Sequence, residues 1–369
     1  MGRTVTVVGL GNIGSHLAPH LARLPGLSRV LLVDKGRYDD TNIRSQAVTA
    51  SQVGRSKAQV QGLQLKRINP ALGVAAIAGP VEAIPLGRLR ADVILACVDS
   101  RAARQYLNQA ARRLGVPLVD AGVQPEGSLV RVSVFRPGDA HACLECTWDQ
   151  ADYDAIEQTY PCGVDGGDGA PTGAPAHLGA LAAAVQAFEC QRLLEASIGQ
   201  ADGSYEIVIG AAAHRYQVTR FARNRACRLP DHEAWAVRTI RRPPRELSAV
   251  EALALGGSTT ADGGACLRLD GVPFIVALTC LGCGRRTPSW RLRRAITGRE
   301  TVCRFCGGRL EAAGPDLVAA LASDSTPAKT LARSLEAFGF QRGDIFSIGG
   351  DGETRFYELT GAPVRRASD

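Results

Sequence analysis

Thr4-Val-Thr-Val-Val-Gly-Leu-Gly-Asn-Ile-Gly14 is the stretch whose reading decides the fold. Its first half is an apolar, β-branched run, the composition of a buried strand. The run feeds Gly9-Leu-Gly11-Asn-Ile-Gly14, and a helical pattern over Ser15–Leu24 follows before Pro25-Gly26 stops it. Strand, glycine turn and helix start, in that order, are the context that gives a GxGxxG motif meaning. Gly9 and Gly11 let the backbone turn and approach a phosphate, and Gly14 lets the helix pack close to the strand. The free N–H groups at the helix start favour an anion. A second apolar run, Arg29–Asp34, ends in an acid 20 residues after Gly14, where a carboxylate would hold a ribose hydroxyl. Taken alone, these residues predict a nucleotide site with NAD(P) as the usual occupant. A glycine turn without a ligand is the plainer alternative.

The chain has 369 residues, enough for one large α/β domain and a smaller one. Apolar residues make up 45% and charged residues 21%, values of a globule with a real core. The net charge of +7 is unevenly placed, with arginine dense over 215–245 and 285–309. That density suits an acidic partner protein, nucleic acid, or simply a solvated basic face. No apolar run is long enough to span a membrane, and the first residues already read as a core strand, so the expected location is the cytoplasm.

Past Asp34 a polar loop leads into a helix over Ser56–Ile68. Gly73–Val81 and Ala91–Val98 read as strands three and four, Ser100–Leu114 as a helix, and Pro117–Val123 as another strand. Strands alternating with helices predict a doubly wound, mostly parallel, Rossmann-like sheet. Asp99 then falls just past the carboxyl end of strand four, on the ligand-binding edge. Ser128–Phe135 alternates like an antiparallel strand, and residues 141–175 read as a cysteine-bearing, glycine-rich crossover loop over the site. An alanine-rich helix (Ala176–Ala196) and a closing hairpin (Tyr205–Ile209, Arg215–Phe221) complete the first domain, placed at 1–240. Residues 241–369 form a second, α+β domain that opens with a helix over Glu246–Leu255.

With these segments in order, the first half of the chain resembles the ThiF/MoeB/ubiquitin-activating-enzyme family. The segment Thr41-Asn42-Ile43-Arg44-Ser45-Gln46 is similar to the family's SNLNRQ, and Val53-Gly54-Arg55-Ser56-Lys57-Ala58 to its VGxxKA. Asn69-Pro70 ends the helix as the family's INP does, and Cys97-Val98-Asp99-Ser100 places the aspartate after strand four. The resemblance implies an adenylyltransferase that uses ATP to activate the C-terminal glycine of a ubiquitin-like or sulfur-carrier protein. It further implies a homodimer and hand-over to a conjugating enzyme, with no role for nucleic acid. On that basis Gly9, Gly11, Asn12, Gly14, Asp34, Asn42 and Gln46 contact the nucleotide. Arg44 and Lys57 neutralise phosphates, and Asp99 holds Mg²⁺, a hard cation that prefers carboxylate oxygen. Read singly, Lys57 is a solvated helix lysine and Asp99 a helix cap. Two departures stand out: Ser45 occupies the place of the family's arginine, and the family's N-terminal helix with its own arginine has no counterpart before strand one.

Six of the eleven cysteines fall in three CxxC pairs, which points to metal rather than a disulfide framework. Cys280/Cys283 and Cys303/Cys306, with 19 residues between the pairs, read as a zinc ribbon (280–306). A ribbon alone does not say whether it binds protein or nucleic acid. Cys143 and Cys146 supply two ligands of another site. The family's second pair comes after the long helix, where this chain offers Cys227 and His232, so a Cys₃His zinc site is expected. Cys97 and Cys190 read as core. Cys162, in the crossover, is either an exposed loop cysteine or the nucleophile that relatives use to form a thioester. Within the class the alternatives are sulfur-carrier activation of the thiamine or molybdopterin type and a tRNA-directed dehydratase; from other classes they are an NAD-dependent dehydrogenase and a silent zinc scaffold. Lys57 and Asp99 argue against the dehydrogenase, which needs neither.

Overall fold

The computed structural model describes residues 2–159, 173–195, 203–229, 232–256, 264–312, 314–350 and 353–361. The chain divides into two compact units, Met1–Ile84 with Leu89–Trp235, and Pro85–Arg88 with Ala236–Asp369.

In the first unit, β1 (Arg3–Val8) carries Val5 and Val7 with no exposed surface and lies between β2 (Leu27–Asp34) and β4 (Val93–Ala96). All three run parallel, Val7 standing opposite Leu32 on one side and Leu95 on the other. Burial on both sides explains the continuous apolar runs Val30–Val33 of β2 and Val93–Ala96 of β4, and the burial of Thr6 as well as the valines of β1. β3 (Gly73–Ala78) and β5 (Leu118–Gln124) extend the parallel part. β6 (Leu129–Phe135), β7 (Ser204–Gly210) and β8 (Arg215–Phe221) then add antiparallel strands, giving the order β3-β2-β1-β4-β5-β6-β7-β8. The chain winds outward from β1 to β3 and returns to β4 on the other side. The crevice at the carboxyl ends of β1 and β4 is therefore the switch point at which such sheets bind ligands.

Helix α1 (Asn12–Leu21) packs against α2 (Lys57–Ile68) and the alanine-rich α5 (Ala176–Leu194), while α3 (Arg101–Leu114) covers β4 and β5. Leu17, Leu32, Leu65, Val119, Val132 and Ala182 belong to the common core. α1 begins three residues before the expected Ser15 and ends at Leu21, two residues after Pro19. Pro19 has no N–H to give the carbonyl one turn back, and Arg23 and Leu24 close as turns onto His20 and Leu21. The crossover is more regular than its glycines suggest. Before residue 160 it holds a 3₁₀ turn at Leu144–Thr147 and α4 (Gln150–Thr159), whose start is capped by Asp149 accepting from the Asp152 amide at 3.1 Å. Cys162 and the glycine-rich stretch that follows it lie outside the described residues.

The second unit is built on a five-stranded sheet of β9 (Val237–Ile240), β10 (Cys266–Arg268), β15 (Leu321–Ala322), β16 (Ile345–Gly350) and β17 (Glu353–Leu359). A second sheet joins β11 (Phe274–Cys280) to β12 (Arg286–Leu292), β13 (Leu310–Glu311) and β14 (Leu317–Val318). Short helices α6 (Ala249–Ala254), α7 (Ala328–Leu331) and α8 (Leu335–Phe338) accompany them. Phe274, Phe338, Phe340 and Phe346 form a chain of ring contacts in its core. β9, which sequence places in the first domain, pairs in parallel with β17 in this sheet. No described helix is long and apolar enough to cross a membrane.

Candidate nucleotide site and metal centres

The glycine turn is closed by backbone packing. Gly9 has φ of +88°, and a Cβ there would stand 2.4 Å from the Cys97 carbonyl oxygen. A Cβ on Gly14 would stand 2.0 Å from the Gly9 carbonyl oxygen. Gly11, the residue before α1, differs: a Cβ there would meet nothing within 4 Å. Two glycines are thus demanded by the fold, and the third faces open space at a helix N-terminus that no side chain caps.

Asp34 ends β2 beside this turn. Its carboxylate accepts the Leu10 amide and the Gly36 amide, each at 2.6 Å, which fixes it and leaves lone pairs for a further donor. Gly36 is flanked by Asp34 and Lys57, since a Cβ there would lie 3.2 Å from Asp34 Oδ1 and 3.5 Å from Lys57 Cε. The Lys57 ammonium stands 5.5 Å from the centroid of the Tyr38 ring. Tyr38 is buried and donates to the Leu10 carbonyl at 3.3 Å while accepting from Gln61 at 2.8 Å. Burial pushes its phenol above the ordinary value, so it stays a neutral donor. Tyr38 therefore links the glycine turn, α2 and Lys57, a role that sequence did not suggest.

The other expected nucleotide residues are distributed differently. Asn42 is buried, and its amide closes a capping box with Asp39, donating to Asp39 Oδ1 at 3.0 Å. Arg44 is exposed at the end of that turn. Gln46 and Asn12 each keep a buried side-chain oxygen without a partner among the described residues. Asn12 Oδ1 is packed against Gly179 of α5, where a Cβ would stand 1.8 Å from it. The Asn12 nitrogen is already used, donating at 2.9 Å to the Ala174 carbonyl just before α5. Asp99 is exposed, and the cap of α3 is Ser100, which accepts the Ala103 amide at 3.2 Å. Asp99 is therefore not spent on capping.

Two buried polar groups escaped the sequence reading. Gln186 of α5 donates to the carbonyls of Ala96 at 3.1 Å and Val119 at 2.9 Å, tying that helix to the ends of β4 and β5. Asp120, fully buried on β5, pairs with Arg104 and Arg131. A polar residue in an alanine helix and a charge in an apolar strand were the available signals. The thiols of Cys97 and Cys190 are both raised by burial, the latter to about 12, so neither is a ready nucleophile.

Four ligand atoms from Cys143, Cys146, Cys227 and His232 all lie within 4.8 Å of one another, as do those of Cys280, Cys283, Cys303 and Cys306. In the first set Cys143 Sγ is 3.9 Å from Cys146 Sγ and 3.8 Å from Cys227 Sγ. A tetrahedral zinc with Zn–S near 2.3 Å has edges of about 3.8 Å. His232 is fully buried and turns Nδ1 to the His141 carbonyl at 3.1 Å, leaving Nε2 toward Cys146. That is how a ligating histidine is usually oriented. In the second set, two knuckle turns are closed by Gly284 N–H to the Cys280 carbonyl and Gly307 N–H to the Cys303 carbonyl, each at 2.9 Å. Gly284 and Gly307 both have φ near +70°. Both sets fit zinc.

The chain is similar to known proteins over its first unit. It is 31% identical over 147 residues to the sulfur carrier protein ThiS adenylyltransferase of Escherichia coli (strain K12), a match covering 39% of this chain and 57% of that protein. It is 28% identical over 158 residues to ubiquitin-like modifier-activating enzyme 5 of Oryza sativa subsp. japonica, covering 39% of this chain and 37% of that protein. The chain thus matches well under two thirds of either relative's length. Among solved structures, E. coli MccB with succinimide shares the fold at 20% identity and a TM-score of 0.50, covering 62% of this chain and 67% of that one. The profile of the ThiF family matches residues 3–234, well over half of the sequence, and the chain belongs to that family.

Proposed function

We propose that the first unit binds ATP and adenylates the C-terminal carboxylate of a small carrier protein ending in glycine. The observation that carries this reading is the placement of Asp34 and Lys57 on either side of Gly36, beside a glycine turn whose Gly11 faces open space at the switch point. A ribose holder alone suits any dinucleotide enzyme. A lysine beside it suits triphosphate chemistry, where negative charge must be neutralised as it moves onto the leaving pyrophosphate. Similarity to adenylating relatives supports the same choice.

In this reading the carrier's carboxylate attacks the α-phosphorus, the α–β bridging bond breaks, and pyrophosphate leaves. Asp34 holds the ribose, and the amides at the start of α1 and Lys57 receive phosphate charge, with exposed Arg44 as a further phosphate contact. Asn12, Asn42 and Gln46 shape the pocket wall. A magnesium ion at Asp99 would add charge neutralisation. Cys162 would then attack the acyl-adenylate, forming a thioester and releasing AMP. Zinc at Cys143/Cys146/Cys227/His232 would tie the crossover to the segment after β8, away from the chemistry. The carrier is of the ubiquitin-like class, with a sulfur carrier as the near alternative, and the enzyme works as a cytoplasmic homodimer that passes its product to a conjugating enzyme. Calorimetric titration tests the reading: ATP with Mg²⁺ binds and NADH does not. Tight NADH binding without ATP binding would overturn it.

A further inference from the structure

The zinc ribbon presents a surface that the adenylation reading does not use. Leu281 is 66% exposed, Phe305 69% and Val302 50%. Leu281 and Phe305 occupy the turns between the paired cysteines, and Cys280 Sγ and Cys306 Sγ stand 3.4 Å apart, so the two turns form one tip. The Arg285 guanidinium lies 3.9 Å from the centroid of the Phe305 ring, covering one face of it. Residues 280–310 contain eight arginines, no lysine and one acid, Glu300. Four of those arginines pair with carboxylates. Arg285 and Arg304, both exposed in the tip, have no acidic partner among the described residues.

We propose that this tip binds single-stranded nucleic acid. A cationic tip calls for an anionic partner, and the remaining question is which. A protein interface ordinarily buries about 800 Å² per partner and draws it from side chains. Here Gly282, Gly284, Gly307 and Gly308 carry no side chain, so the exposed side chains of the tip reduce to Leu281, Val302 and Phe305 with Arg285 and Arg304, far fewer than the roughly 20–30 residues a side of such an interface. Among them Phe305 is an exposed flat ring with a guanidinium against it. That is the equipment of a base-stacking site flanked by phosphate contacts, which tolerates any base. Arginine in place of lysine suits planar contact with phosphate. The sequence alone leaves the ribbon open between protein and nucleic acid; the exposed Arg285–Phe305 stack favours the latter.

The test is fluorescence anisotropy of labelled oligouridylate and oligothymidylate titrated with the zinc-loaded full chain. Binding should weaken between about 50 and 200 mM salt, with a log–log slope of about −1.4 for two phosphate contacts. Phe305→Ala should weaken it roughly 5- to 150-fold, the range for losing one stacked base. Phe305→Trp should retain it, and Arg304→Ala should flatten the slope by about 0.7. Zinc content and pyrophosphate exchange serve as controls and should not change in Phe305→Ala. Absence of binding overturns the proposal. So does binding that Phe305→Ala leaves intact, or equal competition by polyglutamate, which would mean that charge alone, as on an acidic protein, is recognised.

Discussion

Replacing Gly11 and Gly14 separately by alanine distinguishes space kept for a ligand from space kept for packing. A Cβ at Gly14 would lie 2.0 Å from the Gly9 carbonyl oxygen and 2.9 Å from its carbon. Carbon–oxygen contacts normally stop near 3.3 Å, so helix and turn must part by more than about 1 Å. The oxygen belongs to the backbone of a turn held at φ of +88° and cannot swing aside. Gly14→Ala should therefore lower stability by about 1–3 kcal/mol and also displace the turn, which alone can cost on the order of 10²-fold in a positioned reaction. Gly11→Ala meets nothing within 4 Å, and its φ of −79° lies outside the left-handed region that favours glycine. Its stability cost should stay at or below about 1 kcal/mol, the spread among residues at a helix start, or about 2–4 °C of melting temperature. Its new methyl stands where an anion would approach the α1 amides, so ATP binding should fall by on the order of 10²-fold or more. Thermal melts and ATP titration read the two effects apart. Normal ATP binding by a well-folded Gly11→Ala would refute the reasoning, because the open space would then not be the phosphate site.

Elemental analysis should give close to two zinc per chain, and Cys227→Ala should bring it near one while leaving the ribbon loaded. Gly179→Ala places a Cβ 1.8 Å from Asn12 Oδ1, so it should displace the Asn12 amide from the Ala174 carbonyl and weaken nucleotide binding, with a stability loss of about 1–3 kcal/mol. With a cognate carrier, Cys162→Ala should keep ATP–pyrophosphate exchange and lose a reducible adduct on a non-reducing gel, whereas Asp99→Ala should lose both. Retention of the adduct in Cys162→Ala would assign the nucleophile elsewhere.

The parallel half of the sheet was legible because its signals are local. Leu32 sits in an unbroken apolar run, Val5 and Val7 in a β-branched one, and the glycines mark the turn between β1 and α1. Groups that meet across long stretches of chain were not. Nothing in the spacing of Cys227 and His232 joins them to Cys143 and Cys146; the family resemblance supplied the pairing, and the fold places their ligand atoms within 4.8 Å. Asn42 looked like a phosphate ligand because of its segment, yet its immediate neighbour in space is Asp39, three residues away, and the local capping box takes its amide. β9 shows the same limit in reverse: its partner β17 lies at the far end of the second unit's sequence, so local composition put the boundary after it.

The buried charges around Asp120 bear on how phosphate is neutralised. Arg104 pairs with Asp120 and also donates to the Val98 carbonyl at 2.7 Å and the Ala121 carbonyl at 3.3 Å. Arg131 lies 3.2 Å from Asp120 and 3.5 Å from Glu206. Two arginines thus face two carboxylates, and the cluster is electrically balanced. Its field at the carboxyl edge is that of a neutral group, and the two guanidiniums cannot serve a triphosphate without stranding Asp120, whose desolvated charge would then cost about 3–5 kcal/mol. The cluster's service is positional: through the Val98 carbonyl it holds the segment that carries Asp99. In the proposed reading the cation for the phosphates is Lys57, held between Gly36 and the Tyr38 ring beside Asp34, with exposed Arg44 as its expected helper. In that reading the nucleotide chemistry of this unit would rest on the lysine and not on Arg104 and Arg131, which Asp120 already occupies.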